Sequence, residues 1–139
     1  MGYLLDTVVL SELRKKQRNE FVVRWLSSVP SKELYLSVVT IGEVEKGIAG
    51  RKRVDPEFAG RLERWLADIL EFYGNRILSV DVGIARRWGR LSDRLEHGGA
   101  DLLIAATALE HGLNVVTRNV RHFEPAGVAV IDPFQLPRP

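Results

Sequence analysis

Three carboxylates stand where apolar segments of the chain meet predicted helix starts. Asp6 directly follows the apolar run at residues 3–5, Glu43 lies three residues after Thr40, and Asp101 follows two glycines. Carboxylates that are grouped at a buried edge repel one another unless a proton or a cation intervenes. A hard divalent cation such as Mg²⁺ or Mn²⁺ prefers oxygen ligands of this kind. The pattern therefore indicates a candidate metal site.

Each of these acids also has a purely structural explanation. Asp6 can cap a helix, Thr40 and Glu43 match a capping box, and Asp101 can complement a helix dipole. For any one acid taken alone, the structural explanation is favoured. The argument for a shared site is collective, because caps normally flank exposed helices whereas Asp6 and Asp101 border the two most apolar segments.

Predicted strands and helices alternate along the chain and would position these acids. Apolar runs predict strands at residues 3–5, 34–39, 76–80, 114–117 and 128–131. Helical spacing of apolar residues predicts helices within residues 7–16, 20–29, 40–50, 56–72, 84–95 and 101–109. Such alternation predicts an α/β three-layer sandwich with a mainly parallel central β-sheet, forming one domain over residues 1–139.

The same topology predicts where the acids meet. In parallel sheets, ligands bind beyond the carboxyl ends of the strands. Asp6 and Glu43 follow strand ends and are therefore expected on one edge of the sheet. Asp101 joins them if its helix points its N-terminus to that edge.

Composition excludes several other kinds of site. The 139 residues include no cysteine, which rules out disulfides, thiolate metal centres and cysteine nucleophiles. No apolar run approaches the roughly twenty residues that span a bilayer, and the first residues lack a secretory signal, so no membrane contact and a cytoplasmic location are expected. The net charge of +2 permits nucleic-acid binding without requiring it.

Four segments of this chain resemble the motifs of PIN-domain VapC toxins, and of their FitB-like branch most closely. They occur in the expected order over nearly the whole chain, at residues 3–15, 36–47, 100–108 and 116–119. The resemblance implies a PIN-like fold and a Mg²⁺-dependent endoribonuclease, the toxin of a type II toxin–antitoxin system. It also implies a homodimer with an RNA substrate and a cognate antitoxin, reaching DNA only indirectly through that antitoxin.

The resemblance also implies roles for individual residues. By position, Asp6, Glu43 and Asp101 would form the metal site, and Asn119 would hold a water molecule or a phosphate oxygen beside the ion. The carboxylates would fix Mg²⁺, with Mn²⁺ as a possible substitute. The ion would polarise a phosphodiester and activate water for in-line attack. This mechanism needs no nucleophilic side chain.

This chain departs from the family pattern at two places. Val8 stands where the family usually has Asn, and Asn119 and His122 lie near the position of a further family acid. An Asn in place of Val8 is expected to strengthen metal binding or cleavage, unless Val8 serves only to fill core space. These departures leave an alternative function open: a catalytically weakened PIN-like module that mainly binds an antitoxin or nucleic acid.

Basic and aromatic residues give weaker predictions. The clusters at residues 14–16 and 51–53 are typical of solvated helix ends. Arg14, Lys15 and Arg118 are nevertheless candidates for RNA phosphate contacts, because their segments run from the acidic edge. Three tryptophans on helical stripes are expected to make core or dimer contacts: Trp25, Trp65 and Trp88.

Overall fold

Five short parallel strands form the central sheet of the computed structural model, which describes residues 2–135. The strands are β1 (Tyr3–Leu5), β2 (Leu34–Ser37), β3 (Ile77–Leu78), β4 (Asn114–Val116) and β5 (Val130–Ile131). Their spatial order is β3-β2-β1-β4-β5. The direction of winding reverses between β1 and β4, so a crevice opens at the carboxyl ends of these two strands.

Seven α-helices lie in the described part of the chain. They are α1 (Thr7–Glu12), α2 (Glu20–Ser27), α3 (Val38–Lys52), α4 (Pro56–Tyr73), α5 (Val82–Leu95), α6 (Ala100–His111) and α7 (Val120–Phe123). Over residues 2–135, no helix is both long enough and apolar enough to cross a membrane.

The sheet separates two apolar clusters. Leu4 and Val115 pack with residues of α5 and α6, whereas Leu5 and Val116 pack on the opposite side with residues of α1, α2 and α4. This division follows from the alternation of side chains along a strand. The predicted three-layer sandwich is confirmed, and its sheet is entirely parallel.

Helix α6 is buried on most sides, as its apolar composition predicts. The side chains of Leu102, Ile104, Ala105, Ala106 and Ala108 are each 0% exposed. An all-round apolar helix of this kind stays folded only inside a protein. Its burial fixes the N-terminal end that carries Asp101.

The boundary between β2 and α3 differs from the prediction. The strand ends at Ser37, whose Oγ accepts a hydrogen bond from the Val39 backbone N–H at 3.0 Å and caps the helix. Residues 38 and 39 are therefore helical, and the capping box predicted at Thr40 is wrong. Glu43 consequently lies in the second turn of α3 rather than the first.

Three other elements are shorter than predicted. Strand β3 covers only two of the five residues predicted at 76–80, and β5 covers two of the four at 128–131. Helix α1 ends at Glu12, so the basic residues 14–16 lie in the following loop. That loop is closed by the Glu12 carboxylate, which accepts hydrogen bonds from Lys15 Nζ at 3.0 Å and the Asn19 backbone N–H at 2.9 Å.

Candidate active site

Asp6 lies at the crevice between β1 and β4. Its backbone N–H donates to the Val116 carbonyl oxygen at 2.9 Å, which extends the pairing of the two strands by one residue. Its Oδ1 accepts from the Thr7 backbone N–H at 2.9 Å, and its Oδ2 accepts from Thr117 Oγ1 at 2.8 Å. Asp6 is therefore the N-cap of α1 and also a buried carboxylate at the topological switch point.

Burial raises the pKa of the Asp6 carboxyl group above its ordinary value. The hydrogen bonds from Thr117 and Thr7 act in the opposite direction, while the negative charges of Asp101 and Glu43 raise the pKa further. The three predicted acids therefore share one electrostatic environment. An ionised Asp6 at neutral pH is under a penalty that a bound cation would relieve.

Thr7 connects the first acid to the second. Its hydroxyl donates to Glu43 Oε1 at 2.6 Å and lies 3.3 Å from the hydroxyl of Thr40. The backbone N–H of the same residue is bound by Asp6. One threonine thus holds the end of β1 against α3 and fixes Glu43 beside the crevice.

Asp101 is held by His122, to which the sequence pattern assigns no role in the site. Its Oδ2 lies 2.9 Å from Nδ1 of His122, which is carried by the unpredicted helix α7. Both side chains are partly open to solvent, with 35% of Asp101 and 59% of His122 exposed. The histidine occupies the region where the family often has another acid, and here it contacts a carboxylate instead of adding one.

Asn119 lies beside the site without joining it. Its backbone N–H donates to Oγ1 of Thr117, two residues earlier, at 2.9 Å, and Thr117 is the residue that donates to Asp6. Asn119 is the N-cap residue of α7, but its exposed side chain makes no capping hydrogen bond. Its catalytic role stays a prediction.

Val8 faces the protein interior. It is half-buried and packs against the apolar cluster that contains Leu5, Val9 and Val116. Val8 therefore fills core space, as one of the two explanations for this residue predicts.

The donor chemistry of the site fits a hard divalent cation, although no closed coordination group is preformed. The three predicted ligands all offer carboxylate oxygens, and the buried Asp6 carries a charge that its surroundings disfavour. Across residues 2–135, no three Asp, Glu or His side chains are grouped closely enough to hold a metal ion as they stand. Asp6 is fixed by two hydrogen bonds, whereas Glu43 and Asp101 are more exposed.

A parallel α/β sheet with acids at its switch point is the arrangement of a PIN domain. The PIN domain family model matches residues 3–128. The chain therefore belongs to the PIN-domain family, and the resemblance read from its motifs is confirmed.

Within the PIN-domain family, the chain is similar to proteins named as toxins and ribonucleases. The chain is 39% identical over 140 residues to Toxin FitB of Neisseria gonorrhoeae, covering 94% of this chain and 97% of that protein. It is 35% identical over 141 residues to VapC ribonuclease Y4jK of Sinorhizobium fredii, covering 95% and 97%. The crystal structure of FitAcB from Neisseria gonorrhoeae superposes with a TM-score of 0.85 at 36% identity, covering 96% of this chain and 99% of that one.

Proposed function

We propose that this chain is a Mg²⁺-dependent endoribonuclease that acts as the toxin of a type II toxin–antitoxin system. The observation that carries the proposal is the buried Asp6 carboxylate, which is held by two threonines at the switch point and repelled by two further acids. Similarity to a protein named as a VapC ribonuclease and to Toxin FitB supports the choice of RNA and the toxin role.

Asp6, Glu43 and Asp101 would hold the ion. When bound, Mg²⁺ polarises a phosphodiester and lowers the pKa of the attacking water. Thr117 and Thr7 each bind one oxygen of the Asp6 carboxylate, which fixes its orientation. Partners of this kind orient metal-binding side chains and support the affinity of the site.

Two more residues position the remaining acids. Thr7 donates to Glu43 and keeps that carboxylate on the crevice side of α3. His122 contacts Asp101 and restrains it at the N-terminus of α6. Because Glu43 and Asp101 are more exposed than Asp6, an RNA backbone can approach the site from their side.

The proposal is tested by incubating the purified protein with single-stranded RNA in Mg²⁺ or EDTA. We expect cleavage that requires the ion and that Asp6→Asn and Asp101→Asn abolish. The matched control is Asp93→Asn, an exposed carboxylate on α5, which should cleave like the wild type. Cleavage that survives in EDTA or in both site variants contradicts the proposal.

The core packing of Val8 favours one alternative function. A chain with an apolar residue where the family has Asn could retain the fold for binding an antitoxin or nucleic acid after losing efficient chemistry. A wild-type protein that binds RNA in Mg²⁺ but does not cleave it would support this alternative.

A further inference from the structure

Three arginines from different parts of the chain converge on one phenylalanine ring. Arg14 comes from the loop after α1, Arg51 from the end of α3, and Arg61 from α4. Their guanidinium carbons lie 5.3, 5.3 and 5.4 Å from the centroid of the Phe58 ring. We call Arg14, Arg51, Arg61 and Phe58 the Phe58 cluster.

These guanidinium groups have no acidic partner of their own. Within the described residues, none of the three makes an ion pair or a hydrogen bond, whereas Arg87 is paired with Glu110 at 2.7 Å. The aromatic ring attracts the cations through its quadrupole but carries no net charge. Because all three share one ring, any two lie within about 11 Å of each other, close to the Debye length of about 10 Å at 0.1 M salt. An anion would relieve their mutual repulsion.

The cluster borders a basic groove. A depression of about 620 Å³ is lined by Arg14, Lys15, Lys16, Phe58, Arg61 and Leu62. The Lys16 ammonium makes no ion pair among residues 2–135, and Lys15 is paired only with Glu12. This surface contains no carboxylate that would compete with an incoming anion.

A second groove connects the cluster to the acidic site. Its volume is about 680 Å³, and it is lined by Glu43, Lys46, Gly47, Gly50, Arg51, Val54 and Ala100. Arg51 belongs to this groove and to the Phe58 cluster, while Glu43 and Ala100 place its other end beside the predicted metal ligands. A Cβ atom added at Gly47 or Gly50 would meet nothing within 4 Å, so the floor of the groove is open.

The length of the connection suits a short stretch of RNA. Arg51 lies eight positions after Glu43 in α3, a rise of about 12 Å along the helix. This equals about three or four stacked nucleotides at about 3.4 Å each. Guanidinium planes can bind phosphates and also stack on unpaired bases, which single-stranded RNA presents.

We propose that the Phe58 cluster binds the backbone of single-stranded RNA a few nucleotides from the bond cleaved at the acidic site. This inference rests on the proposed function and names where its substrate runs. Phe58 acts as a positioning residue, because its ring holds the three guanidinium groups together. Arg14 and Arg51, which belong to the basic clusters at residues 14–16 and 51–53, thereby share one function, whereas Lys52 is paired with Glu63 at 2.6 Å.

The test is the binding of a fluorescein-labelled, 12-nucleotide single-stranded RNA to the full chain in EDTA, followed by anisotropy at several salt concentrations. Each contact to a phosphate contributes about 0.7 to the slope of log affinity against log salt for a single strand. The variant R14Q/R51Q/R61Q should therefore lower the slope by about 2 and weaken binding at least 10-fold at 0.1 M salt. The control Arg90→Gln, an exposed arginine of α5, should change neither quantity.

The variant Phe58→Leu distinguishes the positioning role of the Phe58 ring from the charge of the three arginines. It keeps all three arginines, so the salt slope should stay within about 0.3 of the wild type while affinity falls several-fold. Thermal melts should show all variants folded, since the substituted side chains are exposed or half-buried. In the cleavage reaction, the triple variant should raise KM with little change in kcat.

The inference is overturned if the triple variant binds RNA with the affinity and salt slope of the wild type. It is also overturned if that variant retains RNA binding but loses affinity for a poly-glutamate peptide, since the partner would then be an acidic protein segment. If the wild type cleaves RNA and the cluster variants bind and cleave RNA equally well, this inference is contradicted while the proposed function stands. A wild type that neither binds nor cleaves RNA would contradict the proposed function with it.

Discussion

At the residue scale, the central feature is a carboxylate with two roles. Asp6 caps α1 through the backbone N–H of Thr7 and accepts a hydrogen bond from Thr117, the residue that follows β4. Burial and two neighbouring acids nevertheless make its charged form unfavourable. A group placed only for stability would not be expected beside two like charges, because like charges reduce the stability that the cap contributes.

Asp6→Asn is therefore expected to be tolerated in metal-free buffer. Because the pKa of Asp6 is raised above its ordinary value of 3.8, the folded state binds more protons than the unfolded state at pH values between the two pKa values. Stability therefore falls as the pH rises through this range. The amide removes this pH dependence, and the free energy of unfolding at pH 7 should match or exceed that of the wild type by up to about 1 kcal/mol. Urea melts at several pH values measure this.

The same melts distinguish a metal site from a cap. Mg²⁺ or Mn²⁺ should stabilise the wild type by mass action and should leave Asp6→Asn unchanged. A loss of about 2–3 kcal/mol in metal-free Asp6→Asn, as on removal of a buried hydrogen-bonding partner, would mean that Asp6 is structural only. Asp93→Asn again serves as the control.

Val8 tests the departure from the family pattern. Val8→Asn replaces a side chain that packs against the apolar cluster containing Leu5 and Val9, so it should lower the free energy of unfolding by about 1–3 kcal/mol. If an amide there supports the site as in the family, metal affinity should also rise by about 10–100-fold. Val8→Ala should lose stability without that gain. Isothermal titration and thermal melts separate the two effects, and an unchanged metal affinity in Val8→Asn would leave packing as the only function of Val8.

At the scale of elements, the loop between α1 and α2 depends on one buried carboxylate. Glu12 is 7% exposed. Burial acts to raise its pKa, but the hydrogen bonds from the Asn19 backbone and Lys15, together with the positive charges of Lys15 and Arg118, lower the pKa below the ordinary value of 4.5. The loop carries Arg14 of the Phe58 cluster, so its closure also positions the proposed RNA contact.

Glu12→Gln should loosen this loop. Because the pKa of Glu12 is lowered in the folded state, its stabilisation is present above pH 4.5 and is lost as pH falls through the folded value. The glutamine variant should lower the free energy of unfolding at pH 7 by about 1–2 kcal/mol and should differ less from the wild type in acid. Denaturant melts at pH 7 and pH 3 measure this, with Glu71→Gln on α4 as the exposed control. An equal loss at both pH values would show that charge is not the cause.

At the scale of the whole molecule, apolar surface remains uncovered. Phe72, Val54 and Val82 are 55%, 79% and 75% exposed. The three tryptophans pack against the apolar clusters, which confirms the core part of the predicted core or dimer contacts, and each of them is only half-buried. A groove of about 700 Å³ lined by Phe21, Trp25, Val120 and Ile131 among others also stays open in the single chain.

We expect the protein to form a two-fold symmetric dimer that leaves a groove for an antitoxin segment. Aromatic side chains are enriched at the centres of such interfaces, and the half-buried tryptophans supply them. Sedimentation at micromolar concentration should give the mass of two chains. A single species of 15.7 kDa would contradict the dimer.

The sequence by itself determined the parallel sheet, the order of its strands along the chain, and the positions of Asp6 and Asp101 at helix starts. These depend on local signals: strand β1 matches the apolar run 3–5, and α6 follows from an apolar segment beginning at Asp101. The predicted end of β2 at residue 39 is wrong, because Ser37 ends the strand through a side-chain hydrogen bond that apolar periodicity does not encode.

Only the tertiary structure decided the partners of those acids. Thr117 is 111 residues from Asp6 in the chain, and they meet because β4 pairs with β1 in register, Leu5 opposite Val116. His122 reaches Asp101 through α7, a single turn of helix too short to produce a periodic pattern. The Phe58 cluster likewise joins three separate segments. Contacts of this kind follow from the packing of distant elements, so their physical cause lies in the fold and not in the spacing of residues along the chain.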